Sequence, residues 1–395
     1  MSGRKIIKPD LELINYLNEN GGGDPKKCYQ CATCTSVCRL STEEYGFPRR
    51  QVLLAQWGLK EQLMKDPSPW LCFYCGDCSK RCPRKSNPGE TMMNLRRYLT
   101  SLYDWTGLSR LMYRSVFWEM GVLLVVAAAI VLMFTLPRSF GFGLLAQSGS
   151  APLSTVMLDK FAPAGIVDIG DRIMAVALAL LLLSNAARML YGLTSGENIP
   201  FSFYISQLPY FVIQGITQKQ WGRCGSSDST TNWLRHLFLV TGYVIMFTLV
   251  VVFLPSFQVN GIGLHWTSYL GYYATLVLLS STVWILVDRI KKRTEMHAFS
   301  HFSDWMFPVL LFLSALSGIL LHIFRISNMP LTTYYTYMIH LVIVVPMLVV
   351  EVPFGKWSHL LYRPLALYVA AVRNKAKEFQ VERQIAGSAK TAASA

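Results

Sequence analysis

Eight cysteines stand in two copies of one spacing. Residues 28–38 read CYQCATCTSVC and residues 72–83 read CFYCGDCSKRCP. Each copy is C-x2-C-x2-C-x3-C. Thiolate sulfur is a soft anionic ligand, and four thiolates hold the iron corners of a 4Fe-4S cube. A run of this spacing wraps three corners of one cube and sends its fourth cysteine across to the other. The expected ligands are therefore Cys28, Cys31, Cys34 and Cys82 for one cluster, and Cys72, Cys75, Cys78 and Cys38 for the second. Pro83 follows Cys82 as this spacing usually has it, whereas Arg39 takes that place in the first copy. Disulfides do not suit runs so close and regular. Zinc sites share the C-x2-C element, but the third and fourth cysteines of each run and Pro83 favour iron–sulfur. Clusters at this spacing move single electrons. Cys224 stands alone and is expected to be incidental.

The seven histidines all follow residue 235. An ionisable group inside a bilayer is expensive and points to function. Haem b takes two axial imidazoles from facing helices, so these histidines are its candidate ligands. His340 and His359 are 19 residues apart, which on one helix is ~28 Å, close to a membrane's ~30 Å core. One helix could then serve two haems, one near each face. His297 and His301 lie in a basic loop, and His265 adjoins Trp266; all three read as interfacial. Glu351, two residues before Pro353, reads as a helix-end acid with a proton path as the alternative.

These residues must be positioned by two kinds of element. The chain has 395 residues, 52% hydrophobic and only 15% charged, too apolar for an ordinary soluble enzyme. Residues 1–118 carry a net +7, 119–354 a net +2 and 355–395 a net +5. Lys and Arg collect on the cytoplasmic leaflet, so the membrane accounts for the charge and nucleic-acid binding is not expected. Six apolar stretches, 119–136, 171–190, 234–254, 266–287, 303–324 and 334–352, approach the ~20 residues needed to cross. With the amino end inside, inner loops hold eight basic residues and outer loops four. Both termini and the cysteine domain then face the cytoplasm of a multi-pass inner-membrane protein. His236, His297, His301 and His359 fall on the inner side, and His265, His322 and His340 on the outer side.

The spacing predicts a short helix over 10–20 and another over 48–65 between the motifs. Residues 88–118 read as one or two basic, aromatic-rich surface helices, with Arg96, Arg97, Arg110 and Arg114 among Tyr98, Tyr103, Trp105 and Trp118. Segment 199–216, interrupted by Pro209, reads as interfacial. The last dozen residues are expected to lack structure. The fold class is all-α: a two-cluster ferredoxin domain over 1–100, an interfacial connector over 101–118, a six-helix transmembrane bundle over 119–365 and a basic, partly disordered tail over 366–395.

The segments TNWLRHLFLVTGY and HLVIVVPMLVVEVPFGKWSHLLYRP resemble the cytochrome b, or gamma, subunit of respiratory nitrate reductases over 171–365. The resemblance implies haem b. His236 matches the first of that family's two early haem histidines and would pair with His359. The second position is Met246 here, so His340 pairs with His322, pairs with Met246, or the outer site holds no haem; His322 is preferred, giving two haems. Residues 1–100 resemble the iron–sulfur C subunit of heterodisulfide reductase. The fusion of both is similar to the C-subunit family of quinone-interacting membrane-bound oxidoreductases of sulfate reducers. That resemblance implies menaquinol as donor and two soluble flavin-containing subunits like heterodisulfide reductase A as partners. It also implies adenylylsulfate reductase as the downstream acceptor. Readings kept beside it are a heterodisulfide- or sulfite-reducing membrane complex, reversed flow reducing quinone, and a non-catalytic anchor.

Overall fold

The computed structural model describes residues 7–21, 23–43, 45–136, 154–219, 229–293 and 295–393, and they form helices joined by turns, with no strand among them. The helices used below are α1 (Leu11–Glu19), α2 (Thr33–Ser36), α3 (Arg49–Gln56), α4 (Asp77–Lys80), α5 (Pro88–Tyr103), α6 (Val116–Thr135), α7 (Ala164–Thr194), α8 (Leu208–Thr217), α9 (Ser229–Val251), α10 (Trp266–Lys291), α11 (Ser303–Ile326), α12 (Pro330–Pro346) and α13 (His359–Ala393). Cys224 lies outside the described residues. The chain divides into two compact units. The first gathers 1–99, 184–230 and 359–395; the second holds 100–183 and 231–358.

In the first unit α1 starts because Asp10 accepts the Leu13 amide at 3.0 Å, which satisfies one of the orphan N–H groups of a helix start. Leu13, Tyr16 and Leu17 then recur on one face and are buried. That face meets α5, where the rings of Tyr16 and Tyr98 lie 5.3 Å apart. The helix expected over 48–65 is broken in two at Gly58, whose φ is +64°. A Cβ there would come within 2.8 Å of the Asp10 carbonyl, so the break is set by chain approach and not by propensity.

The reading of 88–118 as a surface stripe is corrected. Arg97, Tyr98 and Tyr103 of α5 are buried. Arg97 pairs with Glu90 at 3.0 Å, and a buried charge needs such a partner. Only past the end of α5, to either side of Gly107 (φ +74°), do large aromatics turn outward, with Trp105, Phe117 and Trp118 exposed. In the first unit α13 lays Tyr362 against Trp70 and Arg363 over Phe73. Segment 199–216 folds as two short helices, of which α8 has 10 residues, too short to cross a membrane at ~1.5 Å per residue. The tail expected to lack structure continues α13 to Ala393, consistent with alanine's high helix propensity.

In the second unit five helices are long and apolar enough to cross a membrane, namely Val116–Thr135, Thr230–Val251, Trp266–Lys291, Ser303–Ile326 and Pro330–Phe354. The sixth stretch, 171–190, lies inside the 31-residue α7. Apolar side chains face outward, as lipid allows; Val125 is 70% exposed. Gly242 lets α9 approach α10, since a Cβ there would meet Val277 at 2.4 Å. Phe134, Phe161, Tyr334 and Tyr337 stack into one core. The single helix expected to carry both His340 and His359 is interrupted. It turns π-helical over Met347–Glu351, stops at Gly355, and restarts as α13 at His359. Pro346 and Pro353 each remove an amide donor there.

Gly58→Ala should therefore destabilise the first unit by ~1–3 kcal/mol. A lower denaturation midpoint, followed by tryptophan fluorescence, is the expected result.

Candidate functional site

Both cysteine runs use the same local backbone. Gln30 and Tyr74 have φ of +58° and +56°, and Ala32 and Gly76 have +65° and +84°. Each pair holds the same two places in its run. Three of these four are not glycine, and a left-handed residue of that kind costs on the order of 1 kcal/mol. The repeated conformation places Ala32 and Gly76 as left-handed N-caps, which start the one-turn helices α2 and α4 that carry Cys34 and Cys78. The Tyr74 amide donates to Cys72 Sγ at 3.3 Å, the Ser86 amide to Cys82 Sγ at 3.4 Å, and Gln30 Nε2 to Cys28 Sγ at 3.5 Å. Such donors stabilise anionic sulfur.

Each loop is also clamped from outside. Gln56, at the end of α3, donates to the carbonyls of Pro25 and Cys28 at 2.7 and 2.9 Å and accepts from Gln30. Arg96 of α5 donates to the carbonyls of Pro69 at 2.7 Å, Trp70 at 3.2 Å and Cys72. Glu90 of the same helix accepts the Tyr74 hydroxyl at 2.5 Å. Neither clamp is readable in the sequence. A glutamine and an arginine in amphipathic helices carry no local signal of this role.

The eight thiols are free and fall into two groups. Burial raises Cys28, with Cys82 and Cys31 adding to it; burial raises Cys34, with Cys28 and Cys31 adding. Burial pushes Cys38 up to about 11, with Cys72 and Cys75 contributing. Burial also pushes Cys78 up, joined by Cys72, Cys75 and Cys38. Cys31 moves the other way, lowered by the Thr33 hydroxyl and amide. Cys38 thus interacts with thiols of the second run, and Cys82 with Cys28 of the first. Among the described residues, no three His, Cys, Asp or Glu side chains close up around a point as one metal ion requires. The thiols of each group are near enough to feel one another and too spread for a single ion. Cys38, Cys72, Cys75 and Cys78 line a cavity of about 860 Å³ with Tyr210 and Asn374.

In the second unit His340 of α12 shares a hydrogen bond between its Nδ1 and Ser317 Oγ at 2.9 Å. That contact leaves Nε2 as the nitrogen available for a metal. Gly318 makes room for the ring, since a Cβ there would lie 3.3 Å from His340 Cε1. His322 has both ring nitrogens engaged, Nε2 with the Tyr272 hydroxyl at 2.7 Å and Nδ1 facing Arg325 at 3.5 Å. An axial role for it would require Tyr272 to move away. Met246 packs with Leu278, Ala315 and Met347. His236 is half-buried on α9, and His359 is half-buried at the start of α13. His265 caps α10 through Thr267, and His301 is buried against Ser303.

Residues 24–86 match the family model for a 4Fe-4S dicluster domain. A protein of Archaeoglobus profundus described as like the C subunit of heterodisulfide reductase is 33% identical over 104 residues, which is 26% of this chain and 55% of the relative. The C subunit of the H(2):CoB-CoM heterodisulfide,ferredoxin reductase of Methanothermobacter thermautotrophicus is 36% identical over 76 residues, 19% of this chain and 41% of that protein. The iron-sulfur C subunit of the CoB–CoM heterodisulfide reductase of Methanopyrus kandleri is 37% identical over 80 residues, 20% and 38% respectively. The chain spans about half the length, or less, of these curated relatives. No solved structure matches. The N-terminal region is thus homologous to iron–sulfur subunits of oxidoreductases.

In iron-free protein the thiols should alkylate in a set order. Cys31, exposed and acidified, and the exposed Cys75 should react first; Cys38 stays protonated through neutral pH and should lag with the buried Cys78. Peptide mass mapping over time reads the order, and equal rates at all eight would contradict the grouping.

Proposed function

We propose that this chain is the membrane electron-transfer subunit of a quinone-dependent oxidoreductase. On this reading menaquinol is oxidised at the membrane unit, and the electrons reach soluble flavin-containing subunits and finally adenylylsulfate reductase. What supports the reading is the pair of four-cysteine runs whose thiols interact across the runs, in a chain with five membrane-length helices among its described residues. Cys28, Cys31, Cys34 and Cys82 would hold one 4Fe-4S cluster, and Cys72, Cys75, Cys78 and Cys38 the other. His340 would offer Nε2 to a haem b, and His236 would be a ligand of a second. These groups supply one-electron transfer, which lets a two-electron quinol be linked to a distant flavin.

The chain's own residues set the conditions for that chemistry. Gln56 and Arg96 hold the cysteine loops in place, so the thiolates need not reorganise when charge changes. Ser317 fixes the His340 ring orientation. The crossed positions of Cys38 and Cys82 tie both runs into one folding unit. A second reading is favoured by the names of the relatives: a membrane subunit of a heterodisulfide- or sulfite-reducing complex. Proteins that copurify with the intact complex separate the two.

Prepared without air, the protein should contain iron and acid-labile sulfide. Cys38→Ala should lose about half the iron, as Cys75→Ala does. The paramagnetic signal left in both variants should be the same one, and it should be the one that Cys31→Ala removes. Zinc in place of iron would sink the reading. The haem assignment predicts a quinol-reducible spectrum that weakens in His340→Ala and in His236→Ala; unchanged haem content in both would remove it.

A further inference from the structure

Two acids that the electron-transfer reading does not use are buried together in the second unit. Glu119 lies in the first turn of α6, and Glu351 closes the π-helical turn Met347–Glu351. They are 1% and 0% exposed. Helix α6 packs against the π-helical turn, and the two carboxyl groups interact with one another there. Leu123, one turn along α6 from Glu119, and Val350, next to Glu351, belong to one apolar cluster with Met112 and Phe354. The Lys356 amide approaches Glu351, but among the described residues no donor closes a hydrogen bond with any of the four oxygens. Room for Glu351 depends on Gly355, where a Cβ would fall 2.2 Å from Oε2.

The charged groups facing the pair do not neutralise it. Asp304, in the first turn of α11, acts on Glu119 with the same sign of charge. Asp304 is itself held by Lys356 Nζ at 2.5 Å and by Arg289 Nη1 at 3.8 Å. From the short helix Leu108–Arg114, Met112 and Leu108 meet the pocket, both apolar. Two ionised carboxylates this close in apolar surroundings repel strongly and lack solvation. One proton between them turns repulsion into an O–H···O⁻ hydrogen bond, and the pair titrates as a unit. As mere packing the pair makes little sense, because apolar residues of similar volume would be at least as stable. π-Turns inside helices frequently mark functional sites, and buried acids in membrane helices mark proton paths.

We propose that Glu119 and Glu351 share one exchangeable proton and pass it by way of Asp304 to the end of the unit that carries Arg289, Lys291, Lys292 and Arg293. The transfer moves a proton between carboxyl oxygens, with no change in electron count. Its tie to quinone rests on the function proposed above: this is the route for a proton that quinol oxidation gives up.

Infrared spectroscopy of the full chain in lipid tests the pair without any quinone. The wild type should show a protonated-carboxyl C=O band at neutral pH that shifts promptly in D2O. The band should move in Glu119→Gln and in Glu351→Gln and vanish in the double variant. Asp304→Asn should slow the deuterium shift, with the amide band reporting intact helix. No such band, or one that persists in the double variant, overturns the shared proton; exchange unaffected by Asp304→Asn overturns the route. A menaquinol analogue separates the two readings. Quinol-driven reduction should fall roughly a hundredfold in Glu351→Gln, while dithionite reduction stays normal. Wild-type protein that quinol does not reduce, yet whose band behaves as described, refutes the quinone reading and leaves the proton pair standing.

Discussion

Thiolates gathered at close range repel one another, and burial makes the repulsion worse. Every feature of the first unit bears on that constraint. Cys34, Cys72 and Cys78 are buried, and burial together with neighbouring sulfurs holds their protons on. Amides aimed at Cys72 and Cys82, and the guanidinium of Arg96 near Cys72, relieve part of it. Iron adds the positive charge that stabilises such thiolates. Folding and cofactor binding are then one equilibrium, as in other small metal-dependent domains. Strain at Gln30, Ala32 and Tyr74 fits the same account, because strained backbone persists where the surroundings over-determine it.

The second unit answers the same problem in the opposite way. There, acids are removed from water in an apolar bundle, and where a cation is at hand it is used. Asp304 is gripped by Lys356 and Arg289. Arg325 spends its donors on the carbonyls of Gly261 and Gly263. Among the described residues Glu119 and Glu351 receive no such partner, and a shared proton is the cheapest remaining way to bury them. The break between α12 and α13 belongs to the same arrangement. The π-turn and Gly355 place Glu351 inward, and they end the helix before His359.

The cysteine spacing made the cluster chemistry legible because covalent reach along a short loop fixes which thiols can meet. The short helix over 10–20 was equally plain, and so were five of the apolar spans. The surface reading of Arg96 and Arg97 failed for a physical reason. An arginine between aromatics looks the same whether it snorkels into a headgroup layer or serves carbonyls inside a core. Gly58 could not be recognised as a break, since its left-handed φ and the nearness of the Asp10 backbone arise only in the folded chain.

Sequence by itself determined the iron–sulfur residue types, the helical class and the membrane-length segments. All of these follow from local spacing and composition. Tertiary structure alone decided that 184–230 and 359–395 join the cysteine unit, that Gln56 and Arg96 clamp its loops, and that Glu119 meets Glu351. Those facts join residues up to hundreds of positions apart, and no short-range pattern encodes a contact that only packing brings about.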